Sequence, residues 1–238
     1  MNPREIDERQ AQPVTDPLAN ERAWAERAAE RSPAVKRSRQ RTIAQAKQIV
    51  QAAEHLLETQ GGQFTTQQLV KEAGVALQTF YRYFAGKDEL LLAVLEDIVA
   101  EGAHAMARQA EGITDPIDRL RFFVTQPINL LQNDPDANKM VTAEHWRLYQ
   151  LYPEDVVRTT QHFSDLLEPE IEAAAQTGVL KPVDPPRDAA LITKLVMALV
   201  HHHAFIGFDD DADVVNDHLW RFCLSALGAS PEIAIERD

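Results

Sequence analysis

Residues 64–84 of the chain read FTTQQLVKEAGVALQTFYRYF. Thr65 or Thr66 can cap a first short helix, because a hydroxyl there accepts a hydrogen bond from an otherwise unpaired backbone N–H. Gly74 stands where a residue in the left-handed conformation would end that helix. A second short helix, rich in aromatic and basic side chains, begins near Leu77. The pattern predicts a helix-turn-helix; the alternative is an ordinary hairpin of helices inside a bundle.

The flanking segments complete this unit on both sides. Apolar residues recur three and four positions apart over residues 42–58, which predicts an amphipathic helix. After the motif, Asp88 and Glu89 open a long helix, where acidic side chains suit the positive helix end. We therefore predict a three-helix DNA-binding domain over residues 42–88.

The charge of the chain is unevenly distributed. The whole chain carries −13, yet eight basic and three acidic residues give residues 33–87 a net charge of +5, which leaves −18 elsewhere. A basic segment beside an acidic remainder is typical of a DNA-binding head on a separate regulatory body. We interpret residues 1–41 as a flexible arm whose basic end, KRSRQR at residues 36–41, is either a solvated charge run or a segment that reaches DNA.

The remaining segments read as helices, with no strand-like alternation of useful length. Residues 89–228 form a predicted helical body, and residues 229–238 form a tail. The last two long helices, 188–206 and 213–227, are the most apolar, and helices with two apolar faces need two partners. The predicted fold class is all-α, an N-terminal three-helix head followed by a C-terminal helical body for ligand binding and dimerisation.

No apolar run approaches the roughly 20 residues that a membrane span needs, and the first 41 residues are too polar for a signal peptide. The single cysteine, Cys223, excludes an intrachain disulfide framework and lies in an apolar segment. We therefore expect a cytoplasmic protein without a membrane partner.

The sequence over residues 42–96 resembles the DNA-binding domain of TetR/AcrR-type transcriptional regulators. The run TFYRYF-x-x-KDEL at residues 79–90 carries the most specific part of the resemblance. The resemblance implies a homodimer formed through the last two long helices. Its other implied partners are a double-stranded DNA operator and a small-molecule effector. It further implies a regulator, most often a repressor that a small, largely apolar effector releases from a palindromic operator.

The resemblance also assigns DNA contacts to the two short helices. Hydroxyl and ammonium groups suit phosphate oxygens, and an amide such as Gln78 can pair with adenine. Ala76 departs from the family pattern, in which Ser or Thr is a common cap. The predicted DNA-binding residues, including two from the basic arm, are Arg39, Arg41, Thr65, Thr66, Gln67, Leu77, Gln78, Thr79, Tyr81, Arg82, Tyr83 and Lys87.

Aromatic and histidine side chains of the middle helices predict an effector pocket, although each alone is common in a core. Consecutive helical residues point about 100° apart, so His201, His202 and His203 cannot all bind one metal well. One of them could combine with His145, His162 or Glu144 to bind a metal or a polar ligand group. Satisfied core and interface histidines are the alternative. The predicted ligand-binding residues are Phe123, Met140, His145, Trp146, Tyr149, His162, Phe163 and His202.

The sequence contains no zinc-binding spacing, nucleophile elbow or phosphate loop. We therefore predict no enzymatic activity, no metal and no cofactor. Two alternatives stay open: a helical metal-dependent enzyme that uses the histidines, and a DNA-binding activator without an effector.

Overall fold

A computed structural model describes Trp24, Ala28, residues 31–208 and residues 211–229. The chain divides into two compact units, residues 1–47 and residues 48–238, and each is considered by itself. The described residues form ten α-helices and no strand, which confirms the all-α fold. In chain order the helices are α1 (Pro33–Gln60), α2 (Thr66–Glu72), α3 (Leu77–Tyr83), α4 (Lys87–Gln109), α5 (Pro116–Leu130), α6 (Pro135–Leu151), α7 (Pro153–Thr159), α8 (Gln161–Gln176), α9 (Pro185–Ile206) and α10 (Ala212–Ala226).

Helix α1 begins at Pro33, so the predicted start at Thr42 is wrong. Proline suits the first turn of a helix, and the backbone N–H of Lys36 donates to Ser32 at 3.0 Å. Arg39 and Arg41 therefore lie on exposed helical turns. Parts of the predicted arm and of the predicted tail lie outside the described residues. In the arm these are residues 1–23, 25–27 and 29–30, and in the tail they are residues 230–238.

The helix-turn-helix forms from local signals. Thr65 caps α2, because its hydroxyl accepts from the backbone N–H of Gln68 while the Gln68 side chain accepts from the Thr65 N–H at 2.7 Å. Gly74 adopts φ +62°, the left-handed conformation that the sequence predicted at the end of α2. Helix α3 begins after Ala76, whose side chain provides no cap.

A hydrophobic core joins α2, α3 and α4 to the part of α1 that follows residue 47. Phe80 and Leu69 are fully buried in this core. Leu148 from α6 and Val156 from α7 also belong to it, so two helices of the predicted body contribute to the core beneath the helix-turn-helix. The position of α3 therefore depends on contacts that extend beyond residue 96.

A second core lies among α5, α8, α9 and α10, with contributions from the end of α4. Aspartates cap three of these four helices, and in α5 the capping Asp115 is followed by Pro116 as the first helical residue. Pro127 lies inside α5, where a missing N–H interrupts the backbone bonding.

Helix α9 departs from one expectation. It is long enough, and with a mean hydropathy of 1.5 apolar enough, to cross a membrane, and it is the one such helix among the described residues. The expectation that no apolar run reaches this length is therefore wrong. One helix of this kind is weak evidence for a span, and α9 leaves large apolar side chains exposed, among them Leu191 and Ile206.

Candidate nucleic-acid interface

Helix α3 divides into a buried side and an exposed side. Phe80 is fully buried, and its ring stacks on Phe84 with centroids 6.0 Å apart. The exposed side carries Gln78, Tyr81 and Arg82, and Tyr81 keeps 55% of its surface accessible. The structure therefore holds a short helix by its apolar side and presents its polar side to solvent.

The exposed side of α3 brings several predicted DNA-binding residues together. Leu77 is also exposed, whereas Thr79 and Tyr83 are half-buried. The Arg82 guanidinium lies 5.1 Å from the centre of the Tyr83 ring. A shallow cleft of about 450 Å³ is lined by Gln78, Thr79, Tyr81 and Arg82.

The predicted residues of α2 flank this surface with different exposures. Thr65 is exposed, but its hydroxyl already caps the helix: it accepts from the backbone N–H of Gln68 and donates to Oε1 of Gln68 at 2.9 Å. Thr66 is half-buried and Gln67 is exposed. If the Thr65 hydroxyl contacts a phosphate, it would therefore do so either in addition to its hydrogen bonds with Gln68 or in place of one of them.

Lys87 is engaged inside the protein. Its ammonium donates to the backbone oxygens of Gly62 and Phe64, at 2.5 and 2.6 Å, and lies 4.2 Å from the centre of the Phe64 ring. Burial lowers the pKa of Lys87, and Arg147 adds to the effect, while Glu144 and Asp88 oppose it. The ammonium has three N–H donors, so the predicted phosphate contact of Lys87 would have to use the third donor or replace one of these two hydrogen bonds.

A charged network joins α6 to the start of α4. The Arg147 guanidinium donates to Asp88 at 2.6 Å and to Glu144 at 2.7 Å, and the Tyr152 hydroxyl donates to Asp88 at 3.3 Å. These hydrogen bonds raise the pKa of Arg147, and the bond from Arg147 lowers the pKa of Asp88. No local pattern in the sequence pairs residues this far apart, so the role of Arg147 was not predicted.

Helix α6 also presses against the turn that follows α1. A Cβ atom on Gly62 would lie 2.1 Å from Oε2 of Glu144, closer than atoms can approach. Met140, one turn earlier on α6, lies beside Gly61. A larger residue at position 62 would therefore force the Glu144 carboxylate to move. We name the contact of Glu144 with this turn, together with the Arg147 network, the α6 joint.

Three clefts are lined by described residues, and none of them contains more than one of the eight predicted ligand-binding residues. Phe123 and Phe163 are buried in the body core, and Phe123 alone of the eight contributes to a cleft of about 260 Å³ beside Arg119 and Glu170. A second cleft of about 420 Å³, between the α5–α6 turn and the end of α9, contains none of the eight. His162 is half-buried on α8.

Three of the predicted residues do gather between α6 and α9. The ring centres of His145 and Trp146 lie 4.8 and 5.9 Å from that of His201, and the Tyr149 ring stacks on both His145 and Trp146. Burial, and then His201, lowers the pKa of His145 to about 4. His202, predicted for this group, is instead exposed and touches His203. Across the described residues no three potential ligands are arranged to hold a metal ion.

Comparisons with known proteins point to one family. The model of the family described as "Bacterial regulatory proteins, tetR family" matches residues 49–94. The HTH-type transcriptional regulator HbdR of Aromatoleum sp. (strain CIB) is 29% identical over 178 residues, which cover 72% of this chain and 76% of HbdR. The matched family segment contains α2, α3 and the α4 start.

Solved structures share the fold over most of the chain. The transcriptional regulator FadR from Bacillus subtilis, in complex with stearoyl-CoA, has a TM-score of 0.60 at 18% identity, covering 76% of this chain and 98% of FadR. RolR in complex with resorcinol has a TM-score of 0.65 at 15% identity, covering 83% of this chain and 94% of RolR. At these identities the likeness concerns the fold alone.

Proposed function

We propose that the chain, as a member of the tetR family of bacterial regulatory proteins, regulates transcription by binding DNA. In this proposal the protein is a cytoplasmic, dimeric, non-enzymatic repressor. A small, largely apolar effector releases it from a palindromic operator. The observation that carries the proposal is the exposed polar side of α3 above the buried Phe80.

The proposed DNA contact places α3 in the major groove. Gln78 is exposed, and its amide matches the donor and acceptor that adenine offers there. Tyr81 and Arg82 beside it suit phosphate oxygens, which fix the position of the helix. Sequence preference would then rest on Gln78, and general affinity on its neighbours.

The proposed dimer covers the apolar sides of α9 and α10. Leu191 and Ile206 on α9, and Val214 and Phe222 on α10, are more than half exposed within one chain. Large apolar side chains on adjoining helices favour a partner surface. A two-fold dimer would also supply two recognition helices about 34 Å apart, the spacing of successive major grooves.

Release requires an effector that binds one conformation of the body more tightly than another, and a tenfold preference is equivalent to about 1.4 kcal/mol. The α6 joint supports such coupling, because Glu144 and Arg147 contact the turn after α1 and the start of α4. The stearoyl-CoA in FadR and the resorcinol in RolR support an organic effector.

A gel-shift titration on DNA that flanks the protein's own gene tests this proposal. Saturable binding whose affinity falls steeply with salt is expected, because a basic head displaces counterions from phosphates. Competition with unrelated DNA of the same length is the control. If every flanking fragment binds no better than the competitor, the proposed operator function is wrong.

A further inference from the structure

The body contains a buried imidazole, His145, beside a half-buried one, His201, and three of their ring nitrogens are buried without a partner in the described part of the chain. Both ring nitrogens of His145, and Nε2 of His201, are buried with no hydrogen-bond partner among the described residues. His145 is only 7% exposed. A buried polar atom without a partner costs free energy, so such a pair requires an explanation.

Two aromatic rings cover this pair. The ring centres of Trp146 and His201 lie 5.9 Å apart, and those of Tyr149 and His145 lie 6.4 Å apart. Trp146 and Tyr149 are parallel within 8° and keep 52% and 42% of their surface exposed. Displacing one half-exposed ring would therefore admit a flat molecule to the imidazoles.

The unpaired nitrogens select the polar group that such a molecule carries. A neutral imidazole has one N–H donor and one acceptor nitrogen, and a hydroxyl group can both donate and accept. A carboxylate would need a cation, but the nearby Arg147 already pairs with Glu144 and Asp88. A metal ion would need more ligands than the described residues bring together.

We propose that His145 and His201 anchor the effector, and that the effector is a flat apolar ring with an un-ionised hydroxyl group. This inference rests on the proposed function and names the chemistry of its ligand. The ring stacks on Trp146 or Tyr149, while the hydroxyl donates to one imidazole and accepts from the other. Since Glu144 and His145 are adjacent on α6, binding acts directly on the α6 joint.

Calorimetric titration of the full chain with phenol tests the proposal, with toluene as a probe of similar size and benzoate as a charged one. Phenol should bind at least about tenfold more tightly than toluene, because toluene leaves the imidazole nitrogens unpaired. His145→Phe and His201→Phe should each abolish this preference. The control His104→Phe changes an exposed histidine on α4 and should preserve it.

Two outcomes overturn the proposal: equal affinity for phenol and toluene, or a phenol preference that survives both substitutions. Tighter binding of benzoate than of phenol also overturns it. A thermal melt of each variant checks folding, and His145→Phe should melt at or above the wild-type temperature because it removes unpaired buried nitrogens.

The same samples are titrated with operator DNA in the absence of a probe. Salt-sensitive DNA binding without a phenol preference defeats the effector inference and leaves the proposed function standing. A phenol preference without any DNA binding defeats the proposed function and leaves the ligand site standing.

Discussion

The outer side of α3 and the inner side of α6 use polar side chains in opposite ways. Gln78 and Tyr81 project into solvent from a helix that Phe80 fixes to the core. His145 is buried on α6 without a partner for either nitrogen. The first surface is fixed to the core by Phe80 and is accessible to a large, charged partner. The second gains hydrogen bonds only when something small enters, which suits a regulatory site.

The α6 joint lies between these two regions. Glu144 fits against Gly62, and Arg147 binds Asp88 at the first turn of α4. Glu144 and Arg147 flank His145 on the same helix, so a rotation of α6 at the imidazoles must also move their contacts with the helix-turn-helix. We therefore expect substitutions in the two regions to change the free energy of unfolding differently. We also expect the two regions to be coupled through the α6 joint.

The largest expected effect separates the two sides of α3. Phe80→Ala should lower the free energy of unfolding by about 3–5 kcal/mol, because it leaves a cavity at a fully buried ring. Tyr81→Ala, one residue later, should change it by less than about 0.5 kcal/mol, as an exposed substitution does. Urea denaturation measures both. Similar losses for the two variants would contradict the division of α3 into a buried side and an exposed side.

The second effect concerns pH and the imidazole pair. The pKa of His145 is lowered from 6.5 to about 4, chiefly by burial. Between these pH values the unfolded chain binds a proton that the folded chain does not, so stability falls as pH decreases from 6.5 to 4. The loss from His145 should reach about 3 kcal/mol and should not occur above pH 6.5.

Denaturation of the wild type and of His145→Phe at several pH values isolates this contribution. The difference between their unfolding free energies should change over that range and stay constant above it. A constant difference throughout would show that His145 titrates normally in the folded protein.

The third effect sharpens the role of the joint. Gly62→Ala should cost about 1–3 kcal/mol of stability, because the new methyl group collides with Glu144. Adding Glu144→Ala removes the collision, so the double variant should lose less than the sum of the single losses. Gly102→Ala is the control: no atom lies within 4 Å of its added Cβ, and it should stabilise α4 by about 0.5–1 kcal/mol. If the stability losses of Gly62→Ala and Glu144→Ala add up in the double variant, the two residues are not in contact.

The smallest effect distinguishes two roles for Lys87. Because its ammonium bonds to Gly62 and Phe64, Lys87→Met should cost about 1 kcal/mol of stability. It should leave the slope of log affinity against log salt unchanged, whereas Arg82→Met should reduce that slope by about one. If Lys87→Met reduces the slope instead, the phosphate contact predicted from the sequence is correct.

Local signals explain the parts of the fold that the sequence predicted well. The Thr65 cap and the Gly74 turn each depend on residues within a few positions of one another. The start of α1 was missed because a run of basic residues suits an exposed helix as well as an extended arm. Pro33 marks the start of α1, but a proline in the sequence is compatible with both the first turn of a helix and an extended arm.

Non-local contacts account for what the sequence could not predict. Asp88 and Arg147 are 59 residues apart, and nothing in either segment pairs them. The choice between His201 and His202 depends on the rotation of α9, since one residue turns the direction of a side chain by about 100°. The aromatic composition of α6 indicated a cluster, but its partner on α9 required the packing of the two helices.

The most direct test of the central claim is the affinity of the full chain for a flanking DNA fragment that it binds, measured by fluorescence anisotropy for the wild type and for Gln78→Ala/Tyr81→Ala. Both side chains are exposed, so thermal stability should stay constant. We predict at least about tenfold weaker binding, since a base contact and a phosphate contact are lost together. Unchanged affinity in this folded double variant would show that α3 does not read the DNA.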